Sequence, residues 1–175
     1  MKKILFCLMT IFTMVFAGCK TTPSTATLYS TSYSIGVSAA LVMNQTKIDD
    51  ANRNIIIDIV NMVKTSVPAE GSTFTATWMP IASEYVGQLV SEGKMDEIQG
   101  QITLTAFNTA VKTLDYVIYK RYPKIGENVN YVNAVASGFT SGFLTYFTPA
   151  NTVATVSSDV VYDAEAYEYM LQLTK

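Results

Sequence analysis

The sequence predicts an all-α fold, a compact bundle of five or six helices that follows a flexible N-terminal tether. Apolar residues recur at spacings of three and four in one segment after another, which is typical of helices with one buried face. Strand signals are weak outside residues 152–156. Nearly half of the 175 residues are hydrophobic and 15% are charged, so the chain can bury the core of one domain.

The first 19 residues have the pattern of an export signal. Lys2 and Lys3 precede an apolar run at residues 4–16, which is too short to span a bilayer comfortably. The run ends in Phe-Ala-Gly-Cys at residues 16–19. This segment resembles the precursors of bacterial lipoproteins, in which a small residue precedes an obligatory cysteine. The resemblance implies that Cys19 carries lipid and becomes the first residue of the mature chain.

The resemblance divides the chain into three parts: a removed signal peptide (1–18), the lipidated Cys19 with a flexible linker (19–27), and a single helical domain (28–175). Phe16 stands where the family usually has Leu. The alternative is a conventional signal cleaved at the small residues Val15 and Ala17. Lys20 stands where the family uses Asp to retain lipoproteins in the inner membrane, so the outer membrane is expected if the organism has two membranes.

The first two helices are predicted from apolar stripes and from the residues that begin and end them. Residues 28–44 form the first stripe. Thr46, three residues before Asp49, has the arrangement of an N-cap for the second helix. The second stripe covers residues 48–63, and Pro68 ends it.

The third and fourth helices have the longest stripes. The third stripe covers residues 74–90, and Gly93 ends the helix. Pro80 predicts that this helix either starts at residue 80 or is kinked there. The fourth stripe stops at Pro123 and consists of Ile98, Ile102, Phe107, Ala110, Val111, Leu114, Val117 and Ile118.

The fifth helix is predicted over about residues 129–147, and Pro149 follows it. Residues 150–158 are rich in Thr, Val and Ser, which favours a short extended segment. A short acidic helix is predicted over residues 159–173, with one side formed by Val160, Ala164, Tyr167 and Leu171.

The composition excludes several classes of function. Without residues 1–18 the chain has 10 basic and 14 acidic residues, a net charge of −4 with no basic run, so no nucleic-acid partner is expected. Histidine is absent, which excludes Ser-His-Asp and Cys-His catalysis and most transition-metal sites. Cys7 and Cys19 are the only cysteines. We therefore expect no catalytic residue of these types, no cofactor and no metal.

Two stretches, residues 21–46 and 128–158, carry no charge. Small residues recur in them every four positions, as Ser32-Gly36-Ala40 and as Ala134-Gly138-Gly142. Such strips mediate helix packing in membranes, and they also let two helices of a water-soluble bundle approach closely. Polar residues such as Asn44, Asn133 and Ser137 interrupt the apolar runs, so the bundle interpretation is favoured.

Carboxylates are the remaining acid–base groups. The candidates are Asp49 with Asp50, Asp96 with Glu97, and the group of Asp163, Glu165 and Glu168. Paired carboxylates would serve glycoside hydrolysis if they met in a cleft. Each set lies near a predicted helix start, however, where acids cap the helix and interact favourably with its dipole. The structural interpretation is therefore favoured.

Tyrosine is abundant, with 11 residues, all after the export signal. Tyr combines apolar area with a polar group, and it is common both at binding interfaces and at the edge of ordinary cores. Those near helix ends or in the tail are Tyr116, Tyr119, Tyr122, Tyr131, Tyr146, Tyr162, Tyr167 and Tyr169.

The sequence thus predicts an envelope lipoprotein, held to a membrane by lipid on Cys19, whose helical domain has a non-catalytic role in binding or assembly with an envelope protein. Two alternatives are a carboxylate-dependent hydrolase of an envelope polymer and a membrane-perturbing effector that uses the charge-free helices.

Overall fold

The computed structural model describes residues 23–46, 48–147 and 160–174, and every regular element in this part of the chain is helical. The predicted all-α fold is confirmed. The helices are α1 (Thr25–Gln45), α2 (Asp50–Val63), α3 (Phe74–Ser91), α4 (Glu97–Arg121), α5 (Val129–Tyr146) and α6 (Ala164–Leu173), with one 3₁₀ turn at Ile125–Glu127.

α1 begins earlier than the sequence predicts. The Ser24 side chain accepts a hydrogen bond from Thr27 N at 3.0 Å and so caps the helix. The last three residues of the predicted linker, 25–27, therefore belong to α1. The prediction that the flexible linker extends to residue 27 was therefore wrong.

The predicted N-cap of α2 was also wrong. Thr46 ends α1 instead, and its hydroxyl donates to Met43 O at 2.6 Å. Asp49 is the N-cap of α2, since its carboxylate accepts from Asn52 N at 2.8 Å. An ionised carboxylate satisfies these N–H groups and also interacts favourably with the helix dipole.

α3 begins at Phe74 and continues through Pro80, so a start at Pro80 is excluded. Gly93 ends the helix as predicted. Its φ of 68° lies in the left-handed region, and Lys94 N donates to Leu89 O at 2.9 Å. These features form a Schellman motif.

The buried face of α4 differs from the predicted stripe at its N-terminal end. Ile98 and Ile102 are 71% and 44% exposed, whereas Gly100 and Thr103 are buried. The reason is the close approach of α3, because a Cβ on Gly100 would lie 3.0 Å from Val86 Cγ1. A bulky residue does not fit on this face, and the two isoleucines lie outside it.

α6 starts at its N-cap, Asp163, rather than at residue 159. Its buried residues are Ala166 and Met170, one position away from the predicted face, and Ala164 is exposed. The extended segment predicted at 150–158 lies outside the described residues.

α1 and α5 run parallel and in very close contact, which confirms that they pack through glycine. A Cβ on Gly36 would lie 2.8 Å from Phe143 N, and one on Gly142 would lie 2.9 Å from Tyr33 C. A Cβ on Gly138 would collide with Tyr29 O and Ser32 Oγ. The two backbones thus touch where side chains would normally separate them.

The other helices pack around this pair. Trp78 of α3 lies against Phe139 of α5, with ring centroids 6.0 Å apart, and its indole N–H donates to Ser66 O at 2.6 Å. Among the largest fully buried side chains are Trp78, Phe74, Phe107, Phe139 and Phe143.

The contacts also define the two ends of the bundle. Arg53 of α2 contacts Asn44 at the end of α1 and Phe147 after α5, so α2 starts where those helices finish. α3 runs back against α2, because Trp78 donates to Ser66 O beyond the end of α2 and Tyr85 donates to Asp58 further towards its start. The turn between α3 and α4 therefore lies at the same end of the bundle, opposite the starts of α1 and α5.

The close contact predicts opposite effects for two Gly-to-Ala changes. Gly142→Ala should lower the free energy of unfolding by roughly 1–2 kcal/mol, because overpacking outweighs the gain in helix propensity. Gly87→Ala is the control, since a Cβ there meets nothing within 4 Å. It should raise stability by about 0.5–1 kcal/mol. Urea denaturation of the chain from Thr21 onward measures both, and equal stabilisation would contradict the contact.

Candidate functional site

The predicted acidic pairs lie at the starts of separate helices. Asp49 caps α2, and Asp163 caps α6 through Ala166 N at 3.0 Å. Asp96 caps α4 in a full capping box: it accepts from Gln99 N at 2.8 Å, and Gln99 Oε1 accepts from Asp96 N at 3.3 Å. The expectation that these carboxylates serve as helix caps is thus confirmed for one acid of each set.

The acidic group at the start of α6 joins that helix to the end of α4. Arg121 binds Asp163 through both terminal nitrogens and contacts Glu165 at 2.8 Å. Lys120 also pairs with Glu165, and its hydrogen bond is the main cause that lowers the pKa of the Glu165 carboxyl. Glu168 lies on the exposed face of α6. The arrangement holds two helices together.

The Asp163 backbone adds a contact with α1. Its N–H donates to Ser38 Oγ at 2.8 Å, and Ser38 Oγ donates to Asp163 O at 2.8 Å. Ser38 is fully buried, so this exchange satisfies a hydroxyl inside the bundle.

Asp115 is a partly buried carboxylate that was not among the candidates predicted from the sequence. From α4 it accepts hydrogen bonds from Phe74 N and Thr75 N, each at 2.9 Å, at the start of α3. Burial raises the pKa of the Asp115 carboxyl, and the bonds from Thr75 and Phe74 oppose that rise. One turn later, the Tyr119 hydroxyl donates to Ser72 O at 2.9 Å. Together the two side chains fasten the start of α3 to α4.

Arg53 is 5% exposed and binds backbone and amide groups. Its Nε donates to Ile48 O at 3.1 Å, and its Nη1 donates to Asn44 Oδ1 at 2.7 Å. The guanidinium lies 5.2 Å from the centre of the Phe147 ring. Asn44 also donates to Tyr146 O at 2.8 Å, so Arg53 and Asn44 together tie the ends of α1 and α5 to the start of α2.

The tyrosines divide into packing and surface residues. Tyr119 is half-buried and hydrogen-bonded. Tyr116 is exposed and stacks on Tyr169, with centroids 4.0 Å apart and planes 10° apart, and Lys120 lies over the Tyr116 ring. Tyr29 is exposed near the start of α1 and stacks on Tyr33 at 6.3 Å. Within the predicted set, Tyr116 and Tyr169 thus form a stacked pair, whereas Tyr119 fastens α4 to the residues before α3.

An open surface depression lies between the starts of α1 and α5. It is an open groove of about 550 Å³ without a charged side chain. Its walls are formed by Thr25, Ala26, Tyr29, Asn130, Asn133, Ala134 and Ser137. The sequence signalled these residues only as parts of two charge-free stretches. We refer to them as the α1–α5 groove, and they form the best candidate site for binding.

The chain matches no family model, and comparison with curated proteins and with solved structures also finds no match. The candidate site therefore has to be interpreted from its own chemistry.

In the part of the chain that the structure describes, no helix combines the length and the apolar character needed to cross a membrane. Within the same residues, no group of three or more His, Cys, Asp or Glu side chains is arranged to hold a metal ion.

The capping role of Asp96 predicts how two substitutions will differ. Asp96→Ala removes the acceptor for Gln99 N and should cost about 1 kcal/mol of stability, whereas Asp96→Asn should cost much less because Asn caps helices as well as Asp does. Thermal or urea denaturation measures the difference. If Asp96→Asn folded normally but lost biological activity, an acid–base role would replace the capping role.

The environment of Asp115 predicts a pH-dependent difference from its amide variant. Asp115→Asn leaves one oxygen for two partly buried N–H groups and should destabilise the fold by roughly 1–3 kcal/mol. A raised pKa means that the folded state holds the proton more tightly. The linked stability is therefore present below the unfolded pKa of about 3.9 and is lost as pH rises through the folded pKa.

The stability advantage of the native chain over Asp115→Asn should therefore be larger near pH 4 than at pH 7. Urea titrations of both chains at matched pH values give this difference directly. An advantage that grew with rising pH would show that the two N–H groups outweigh burial and that the pKa is lowered.

Proposed function

We propose that the chain is a lipoprotein precursor, anchored to a membrane through lipid on Cys19, and that its helical domain acts in the cell envelope by binding rather than by catalysis. The observation that carries the proposal is a succession of three features along the chain. Lys2 and Lys3 come first, the apolar run of residues 4–16 follows, and Ala17-Gly18-Cys19 ends it.

The residue chemistry supports a non-catalytic role. The chain has no histidine, and its two cysteines both fall in the first 19 residues. Asp49, Asp96 and Asp163 cap helices, and both oxygens of Asp115 accept backbone hydrogen bonds. A carboxylate-dependent hydrolase would need two acids converging on one cleft, and the α1–α5 groove is walled by uncharged residues.

The proposed partner is an envelope protein, and the proposed location is the periplasmic face of the outer membrane if the organism has two membranes. Lys20 supports the outer membrane because it takes the place of the Asp that retains such lipoproteins in the inner membrane. A membrane-perturbing effector has less support, since the small-residue faces of α1 and α5 are occupied by each other.

Replacement of the anchoring residue tests the proposal. Cys19→Ser should abolish incorporation of labelled fatty acid and release the protein from membranes, because the acyl chains supply the membrane affinity at about 0.8 kcal/mol per buried CH₂. Metabolic labelling and membrane fractionation measure the two effects. Cys7→Ser is the matched control and should leave both unchanged. A Cys19→Ser chain that stays with salt-washed membranes would contradict the lipid anchor.

A further inference from the structure

The α1–α5 groove opens at the end of the bundle from which the chain leads back to Cys19. Five peptide steps join Cys19 to the N-cap Ser24, and a fully extended chain of that length spans at most about 18 Å. α1 has 21 residues and is therefore about 30 Å long. The link is shorter than the helix, so Cys19 stays within about 18 Å of the start of α1 and does not reach its far end.

The walls of the groove are uncharged and its rim is partly apolar, while the exposed Lys124 and Glu127 lie just before α5 at the same end of the bundle. Tyr29 is 40% exposed and Val129 is 63% exposed. Between them, α5 presents the exposed amide and hydroxyl side chains of Asn130, Asn133 and Ser137.

These side chains match the polar–apolar boundary of a lipid bilayer. Tyr is enriched at membrane–water interfaces, where its ring and hydroxyl are both accommodated. Uncharged amides and hydroxyls are much less costly than ionised groups to bring into that partly dehydrated layer. The groove carries no charged side chain that would oppose the approach.

We propose that the α1–α5 groove and its rim rest on the membrane surface, with Tyr29 and Val129 at the level of the lipid headgroups. The inference rests on the lipid anchor at Cys19. The short link supplies the proximity, and the uncharged groove walls allow the contact. The opposite end, with the ends of α1 and α5 and the α3–α4 turn, then faces away from the membrane and is presented to a partner.

Two matched cysteine variants test the orientation. Ser137→Cys lies in the groove, and Ser91→Cys lies at the end of α3, at the opposite end of the bundle. Both serines are exposed. Cys19 is the only cysteine after the export signal, and its thiol is consumed by the lipid, so each introduced thiol is the one that reacts with an environment-sensitive fluorophore.

The lipidated full-length variants are reconstituted in protein-free phosphatidylethanolamine–phosphatidylglycerol vesicles. On the vesicles, the label at 137 should show blue-shifted, severalfold brighter emission and weaker quenching by iodide than the same label on the released domain in detergent-free solution. The emission and the iodide quenching of the label at 91 should be the same in both states. Asn133→Cys is a second reporter in the groove and should behave as Ser137→Cys does.

Each other outcome overturns the inference and identifies what has failed. Lipidated, vesicle-bound protein with all labels equally exposed to iodide contradicts the orientation and leaves the anchor intact. If a groove label is shielded from iodide in native membranes but not in protein-free vesicles, the groove binds a membrane protein and not the lipid surface. Absence of lipid on Cys19 removes both the anchor and the inference.

Discussion

The parallel contact between α1 and α5 is the constraint on which the rest of the bundle depends. At Gly36, Gly138 and Gly142 the two backbones approach so closely that a Cβ would collide with the opposite main chain. Close approach at these points aligns α1 with α5 over several turns. Phe139 then packs against Trp78 in the core, and Phe143 stacks on Phe139. Buried Ser32 and Thr140 are accommodated because each hydroxyl donates to a carbonyl one turn earlier in its own helix.

Several charged side chains of the bundle serve its helix ends. Asp49, Asp96 and Asp163 each satisfy an N–H in a first turn, and Asp115 does the same for α3 from a neighbouring helix. Arg121 and Arg53 hold different helix junctions, the first through carboxylates and the second through Asn44 and a backbone carbonyl. None of these charges lies in the walls of the α1–α5 groove.

Helix positions were largely predictable because the period of apolar residues, the capping residues and the terminating Gly93 all act within one segment. The inward face of a helix was less predictable. Ile98 and Ile102 continue the apolar stripe of α4, yet Gly100 takes the buried position because α3 approaches too closely for a larger side chain. Thr46 and Asp49 were both plausible caps for α2, and the hydrogen bond of Thr46 to the end of α1 distinguishes them. Asp115 gave no local signal because its partners lie about 40 residues away.

By itself, the amino-acid sequence predicted the all-α fold, excluded histidine chemistry, and showed the export-like segment that ends in Cys19. It also shows the glycines of α1 and α5, but their role depends on which helix faces them. Folding places α5 beside α1, so that Gly138 and Gly142 of α5 face the backbone of α1. It also brings Asp115 to the start of α3 and forms the uncharged groove beside the start of α1. These features join residues that are distant in the chain, so no local pattern of spacing or composition contains them.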